Sequence, residues 1–120
     1  MSEFLASGNA ICGTMNTKPA AVPTPGDTAA AQAAYLDQQV ALTQDALTQL
    51  RALPEPAGQA AALQSLFAKV DTLITLGEQE SAALNAGNLA VADQIDSQAS
   101  TATDAANAAF NAYGLTVCGS

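Results

Sequence analysis

The chain holds two cysteines, Cys12 near its start and Cys118 near its end, and their placement limits the sulfur chemistry open to it. Neither has a second sulfur close by in sequence, which excludes a C-x-x-C redox motif and the usual zinc-ligand spacing. There is no histidine anywhere. That removes the commonest metal ligand and the commonest general base, and with them a Cys-His nucleophile. Two structural roles remain open for the sulfurs: a disulfide that closes nearly the whole chain into a ring, or a reduced pair in the core. A ring of that length would constrain the unfolded chain by about 4–5 kcal/mol in the chain-entropy account. A disulfide would also imply an oxidising compartment.

Carboxylates are the other reactive groups. Asp93 and Asp96 stand three apart on one predicted helix, and Glu78 and Glu80 two apart on another. Without a partner histidine or a nucleophile context these read as a solvated acidic face, and Asp93 near a helix start suits the macrodipole. No D-x-[DN]-x-[DN]-G calcium loop, Glu-x-x-His di-iron pair, G-x-S-x-G elbow, P-loop or dinucleotide fingerprint is present. No catalytic, cofactor-binding or metal-ligating residue is therefore assigned. A pocket for a small apolar ligand is the one site the aromatic and small residues suggest, between helices near Tyr35, Phe67, Gly77 and Ser81.

The elements that must carry these groups follow from composition and periodicity. At 120 residues the chain makes one domain with one core. Aromatics are scarce and alanine supplies much of the apolar fraction, so the core is built of thin layers of Leu, Val, Ile and Ala. Three basic residues, Lys18, Arg51 and Lys69, face eleven acids, for a net charge of −8. That sign disfavours nucleic acid and anionic membrane as partners. No apolar run approaches the roughly 20 residues of a membrane span, and Met1-Ser2-Glu3-Phe4-Leu5 has neither a basic leader nor an apolar h-region.

A first helix is expected over 3–16, with Phe4, Leu5, Gly8, Ile11, Cys12 and Met15 on one stripe. Three prolines and a glycine make 17–27 a proline-rich linker, extended and semi-rigid. A second helix is expected over 28–53, capped by Asp27 or Thr28, with a seam of Ala29, Ala33, Leu36, Val40, Thr43, Leu47 and Leu50 that leaves Gln39 outside. Pro54-Glu55-Pro56 stops it. The third, over 57–85, carries Leu63, Leu66, Phe67, Val70, Leu73 and Ile74, then Gly77, Ser81 and Leu84. Where Gly77 and Ser81 stand, either a neighbour packs closely or a small cavity opens. Ala86-Gly87-Asn88 is the next turn, and the fourth helix, over 89–113, repeats Ala92, Ile95, Ala99, Ala102, Ala106, Ala109 and Tyr113. Gly114 ends it, and 114–120 reads as an extended strap over the core. The short connections predict three long antiparallel helices with the shorter first helix lying in their groove, an all-α bundle.

Asn9-Ala10-Ile11-Cys12 together with Tyr113-Gly114-Leu115-Thr116-Val117-Cys118-Gly119 resembles a group of small exported or lipid-anchored, alanine-rich helical proteins of actinobacteria. In that group an early Asn-Ala-x-Cys and a terminal Gly-Leu-x-Val-Cys bracket the helices. The resemblance implies a Cys12–Cys118 bond and an extracytoplasmic location, either secreted or lipid-anchored, and carries over no catalytic residue. The function expected is a non-enzymatic structural or protein-interaction module at the cell envelope with an unidentified protein partner. The alternative is a carrier or sensor of a small apolar ligand held between the helices.

Overall fold

The structure, a computed structural model, describes residues 2–17 and 28–119, with Asn16 and Thr17 described in backbone only. Residues 18–27 of the expected proline-rich linker, and Asp27 as a candidate cap, lie outside the described residues. The described residues form four helices and no strand: α1 (Ser2–Thr17), α2 (Ala29–Ala52), α3 (Ala60–Asn85) and α4 (Leu89–Tyr113).

Local chemistry sets the helix ends. Thr28 has extended backbone angles, and its hydroxyl oxygen accepts the Ala31 N–H at 3.1 Å, satisfying one of the first-turn donors that a helix leaves open. α2 stops before Pro54, which has no N–H to continue the ladder. α3 begins at Ala60, three residues later than the periodicity suggests, because Pro56 to Gln59 is used as a turn. The Gln59 N–H donates to the Pro56 carbonyl at 3.2 Å, and Gly58 takes a φ of 76°, a left-handed conformation that costs glycine little. Asn88 caps α4 from its side chain to the Val91 N–H.

α3 is the central helix. α2 and α4 both pack along it, and α1 packs on α2. Side-chain pairs across the α2–α3 seam join early α2 to late α3, as Asp37 to Ser81, and late α2 to an earlier part of α3, as Arg51 to Asp71. The main core gathers where the large residues of α2 and α3 coincide: Leu47, Leu50, Leu63, Leu66, Phe67 and Val70, joined by Phe4 and Cys12 of α1, Phe110 of α4 and Leu115 of the tail. At the other end a thinner cluster of Ala33, Ala83, Leu84 and Ala92 closes the seam. Small side chains there let backbones approach closely but bury less apolar area per residue. No helix among the described residues is long and apolar enough to cross a membrane.

Candidate functional site

The two cysteines are joined, with their Cα atoms 5.0 Å apart across 106 positions of sequence. The fold brings them together in steps that begin locally. At the end of α4, Gly114 takes a φ of 108°; its N–H donates to the Asn111 carbonyl and the Leu115 N–H to the Phe110 carbonyl at 2.9 Å. This is the left-handed helix-ending motif in which the apolar residue after the glycine folds back toward the last turn. Leu115, fully buried, and Phe110 accordingly share the main core. The tail beyond is not the extended strap expected from its β-branched residues. Residues 116–119 form a turn, closed by the Gly119 N–H to the Leu115 carbonyl at 3.0 Å. An extended path would carry Cys118 away from α1, whereas the turn returns it.

α1 is shaped to receive this tail. A Cβ built on Gly8 would stand 2.6 Å from Leu115 Cδ2, so only glycine lets the leucine seat there. One residue on, Asn9 accepts the Val117 N–H at 2.9 Å and donates through Nδ2 to the Gly114 carbonyl at 3.4 Å, replacing water on a tail backbone that joins no helix ladder. Cys118 Sγ lies 3.6 Å from the Gly8 carbonyl, but a bonded sulfur carries no proton, so this is packing rather than a hydrogen bond. Asn9→Ala is expected to cost about 1–3 kcal/mol, because a partly buried N–H loses its acceptor. It should also speed hydrogen exchange at the Val117 amide well before α3 opens, as read by native-state exchange.

The four residues named as a possible ligand pocket are not gathered into one cavity. Phe67 lines a recess of about 170 Å³ with Phe4, Leu50, Leu63 and Glu55, and Arg51 sits over its ring at 5.8 Å while pairing with Asp71. Both members of that ion pair are about half exposed, so it contributes at most about 1 kcal/mol. Ser81 is buried in the α2–α3 seam, its hydroxyl 2.6 Å from Asp37 Oδ1 and 3.4 Å from the Ala33 carbonyl. A hydroxyl has one proton, which goes to the nearer, charged acceptor. Gly77 admits Val40, whose Cγ2 lies 2.6 Å from where a Cβ would be, so close packing wins over an open hole beneath it. Tyr35 is partly buried on α2.

What does open is a trough over α3 between α2 and α4. Near the disulfide it is a recess of about 200 Å³ bounded by Cys12, Met15, Leu47 and Phe110. Past Thr43, Leu73 and Thr103, which line both parts, it continues as a groove of about 320 Å³ toward Leu36, Gly77, Glu80 and Asp96. Sequence reading left two residues of this groove unassigned. Gln39, placed outside the α2 seam by its period, lines the groove, and its Nε2 is buried without a hydrogen-bond partner among the described residues. Glu80, read as surface, is partly buried; desolvation first, then the charges of Asp96 and Asp93, raise its pKa above the ordinary value near 4.5. Polar residues one position off an apolar stripe are the signal that marks such rims.

The Glu80 shift has a definite sign in stability. A carboxyl whose folded pKa is raised supports folding below its unfolded pKa and loses that support as pH rises through the folded value. Glu80→Gln is therefore expected to raise the urea midpoint at pH 7 and to leave it nearly unchanged at about pH 3, where the native carboxyl is protonated in both states. A midpoint difference that is the same at both pH values would contradict this. Among the described residues no three acids or sulfurs assemble into a metal-ligand group. No family model, curated protein or solved structure matches the chain.

Proposed function

We propose that the chain is a non-enzymatic, extracytoplasmic protein-interaction module at the cell envelope, an antiparallel bundle of three long helices with α1 and the tail locked across one end. The observation that carries this reading is the Cys12–Cys118 bond. Disulfides persist where the environment is oxidising and are rare in the cytosol. The residues gathered around the bond, Gly8, Asn9 and Leu115, are all engaged in holding the tail. A rigid helical frame with a strongly acidic surface and an open trough suits recognition of another protein.

The direct test is intact-mass analysis of the protein exported by its native host, alkylated with and without prior reduction. The expected result is no alkylation before reduction and two additions after it; two free thiols in the exported protein would overturn the compartment assignment. The second reading, a carrier of a small apolar ligand, is favoured by the apolar recess beside the disulfide. At about 200 Å³ that recess alone lies below the usual 300–1,000 Å³ of ligand pockets, and the trough reaches that range only with the adjoining groove. Native mass spectrometry of protein from its source is expected to give the bare chain mass, and a stoichiometric retained lipid would reverse the order of the two readings.

A further inference from the structure

We propose that the open half of the α2–α4 trough receives a short amphipathic helix of a partner protein, about two turns long and carrying a lysine or arginine. This rests on the reading of the chain as a protein-interaction module and names the surface and the partner's chemistry.

Three observations carry it. First, a helix borders the other half of the same trough, where a recess of about 200 Å³ remains. α1 lies there against α2 and the end of α4, with Cys12 and Met15 bordering the recess, and Thr43, Leu73 and Thr103 line both halves. The stretch from Thr43 back to Leu36 rises by seven residue steps, about 10 Å or two helical turns. Second, the floor is apolar: Val40 and Leu73 line it partly exposed above the buried Ile74, and they can take a partner's i, i+4 side chains. Third, the acids at the groove have no cation beside them among the described residues. Glu80 and Asp96 line it, Asp93 lies close enough to act on Glu80, and among the described residues, which do not include Lys18, no lysine or arginine lines it. Arg51 sits at a different recess and Lys69 at another surface. The Gln39 amide nitrogen is buried with no acceptor among the described residues. An apolar floor with an acidic rim selects a helix whose apolar face is flanked by a cation, and disfavours an anionic one.

The probe is a capped, alanine-based peptide of about twelve residues with leucines at i and i+4 and a lysine at i+3, long enough to offer two turns to the groove. It is titrated into methyl-labelled protein. The expected result is saturable shifts of the Val40, Leu73 and Ile74 methyls, with Leu5 unaffected. Exchanging the peptide lysine for glutamate, or making the Glu80→Gln/Asp96→Asn variant, should weaken binding about tenfold or more. Ala99→Leu, which fills the groove from α4, should abolish the shifts while the melting transition is retained. No shift at millimolar peptide overturns the proposal, as does equal binding of the lysine and glutamate peptides. Shifts of the same methyls with protein concentration alone would assign the groove to a second copy of the chain and overturn it too. If the peptide fails while the exported protein is disulfide-bonded, the groove assignment falls and the module reading stands; free thiols in the exported protein remove that reading whatever the peptide does.

Discussion

Replacing both cysteines with alanine, or reducing the bond in the folded protein, is expected to lower the free energy of unfolding by about 4–5 kcal/mol. The bond closes a loop of 106 positions, and in the chain-entropy account the constraint on the unfolded state grows with the logarithm of loop length. Against a total of about 5–15 kcal/mol for an ordinary domain, such a loss takes a large share. It should also fall unevenly. α1 has 16 residues, a length at which an isolated helix is marginal, and Gly8 and Gly13 weaken it further by roughly 1 kcal/mol each relative to alanine. Among the helices its main packing is on α2, so the sulfur bridge is a large part of what keeps it in place. Hydrogen exchange in the Cys12→Ala/Cys118→Ala variant should show α1 and residues 115–119 losing protection first, with the α3 centre least affected. Urea midpoints that coincide for oxidised and cysteine-free protein would show that packing alone holds the ring closed.

The second large effect is expected at the leucine beneath the bridge. Leu115 is completely buried in the main core, so Leu115→Ala should cost about 2–5 kcal/mol through lost transfer energy and the cavity left behind. Its partner glycine gives a sharper test, because two effects of opposite sign meet there. Gly8→Ala gains about 1 kcal/mol of helix propensity. It also places a methyl 2.6 Å from Leu115 Cδ2, and a leucine with no exposed surface has nowhere to move, so overpacking of about 1–3 kcal/mol should prevail. In the Leu115→Ala background the obstruction is gone and Gly8→Ala should become stabilising. A double-mutant cycle by urea denaturation checks this through the sign change. Additive effects would mean that the tail does not seat against Gly8.

Much of the helical framework was legible because it depends on contacts within a few residues. Thr28 and Asn88 offer side-chain oxygens where helices begin, and Gly114 supplies the left-handed residue where α4 ends. The start of α3 was less legible, since the proline that could open a helix at Pro56 also opens a turn, and Gly58 makes the turn cheaper. The tail was misread as extended from Thr116 and Val117, whose β propensity describes a half-buried pleated surface rather than this chain end. Asn9 binds Val117 across 108 positions and bends the segment back. The four residues expected around a pocket do not share one cavity, for a similar reason. Gly77 and Ser81 do lie on one stripe of α3, but Val40 occupies the space over the glycine, and Asp37 accepts the serine proton.

The sequence by itself determined that the chain is helical, where most helices start and stop, that its surface is acidic, and that one pairing of cysteines was available. Each of these is a property of single residues or of spacings up to about four positions, which the chain carries into any tertiary arrangement. Only the tertiary structure decided that α3 lies at the centre with α2 and α4 on either side, and so that a trough remains beyond α1 with Gln39 and Glu80 in it. The periodicity of a helix specifies which face is buried but not which neighbour buries it. On α4 the face around Ile95 to Ala102 is only partly covered by the described residues.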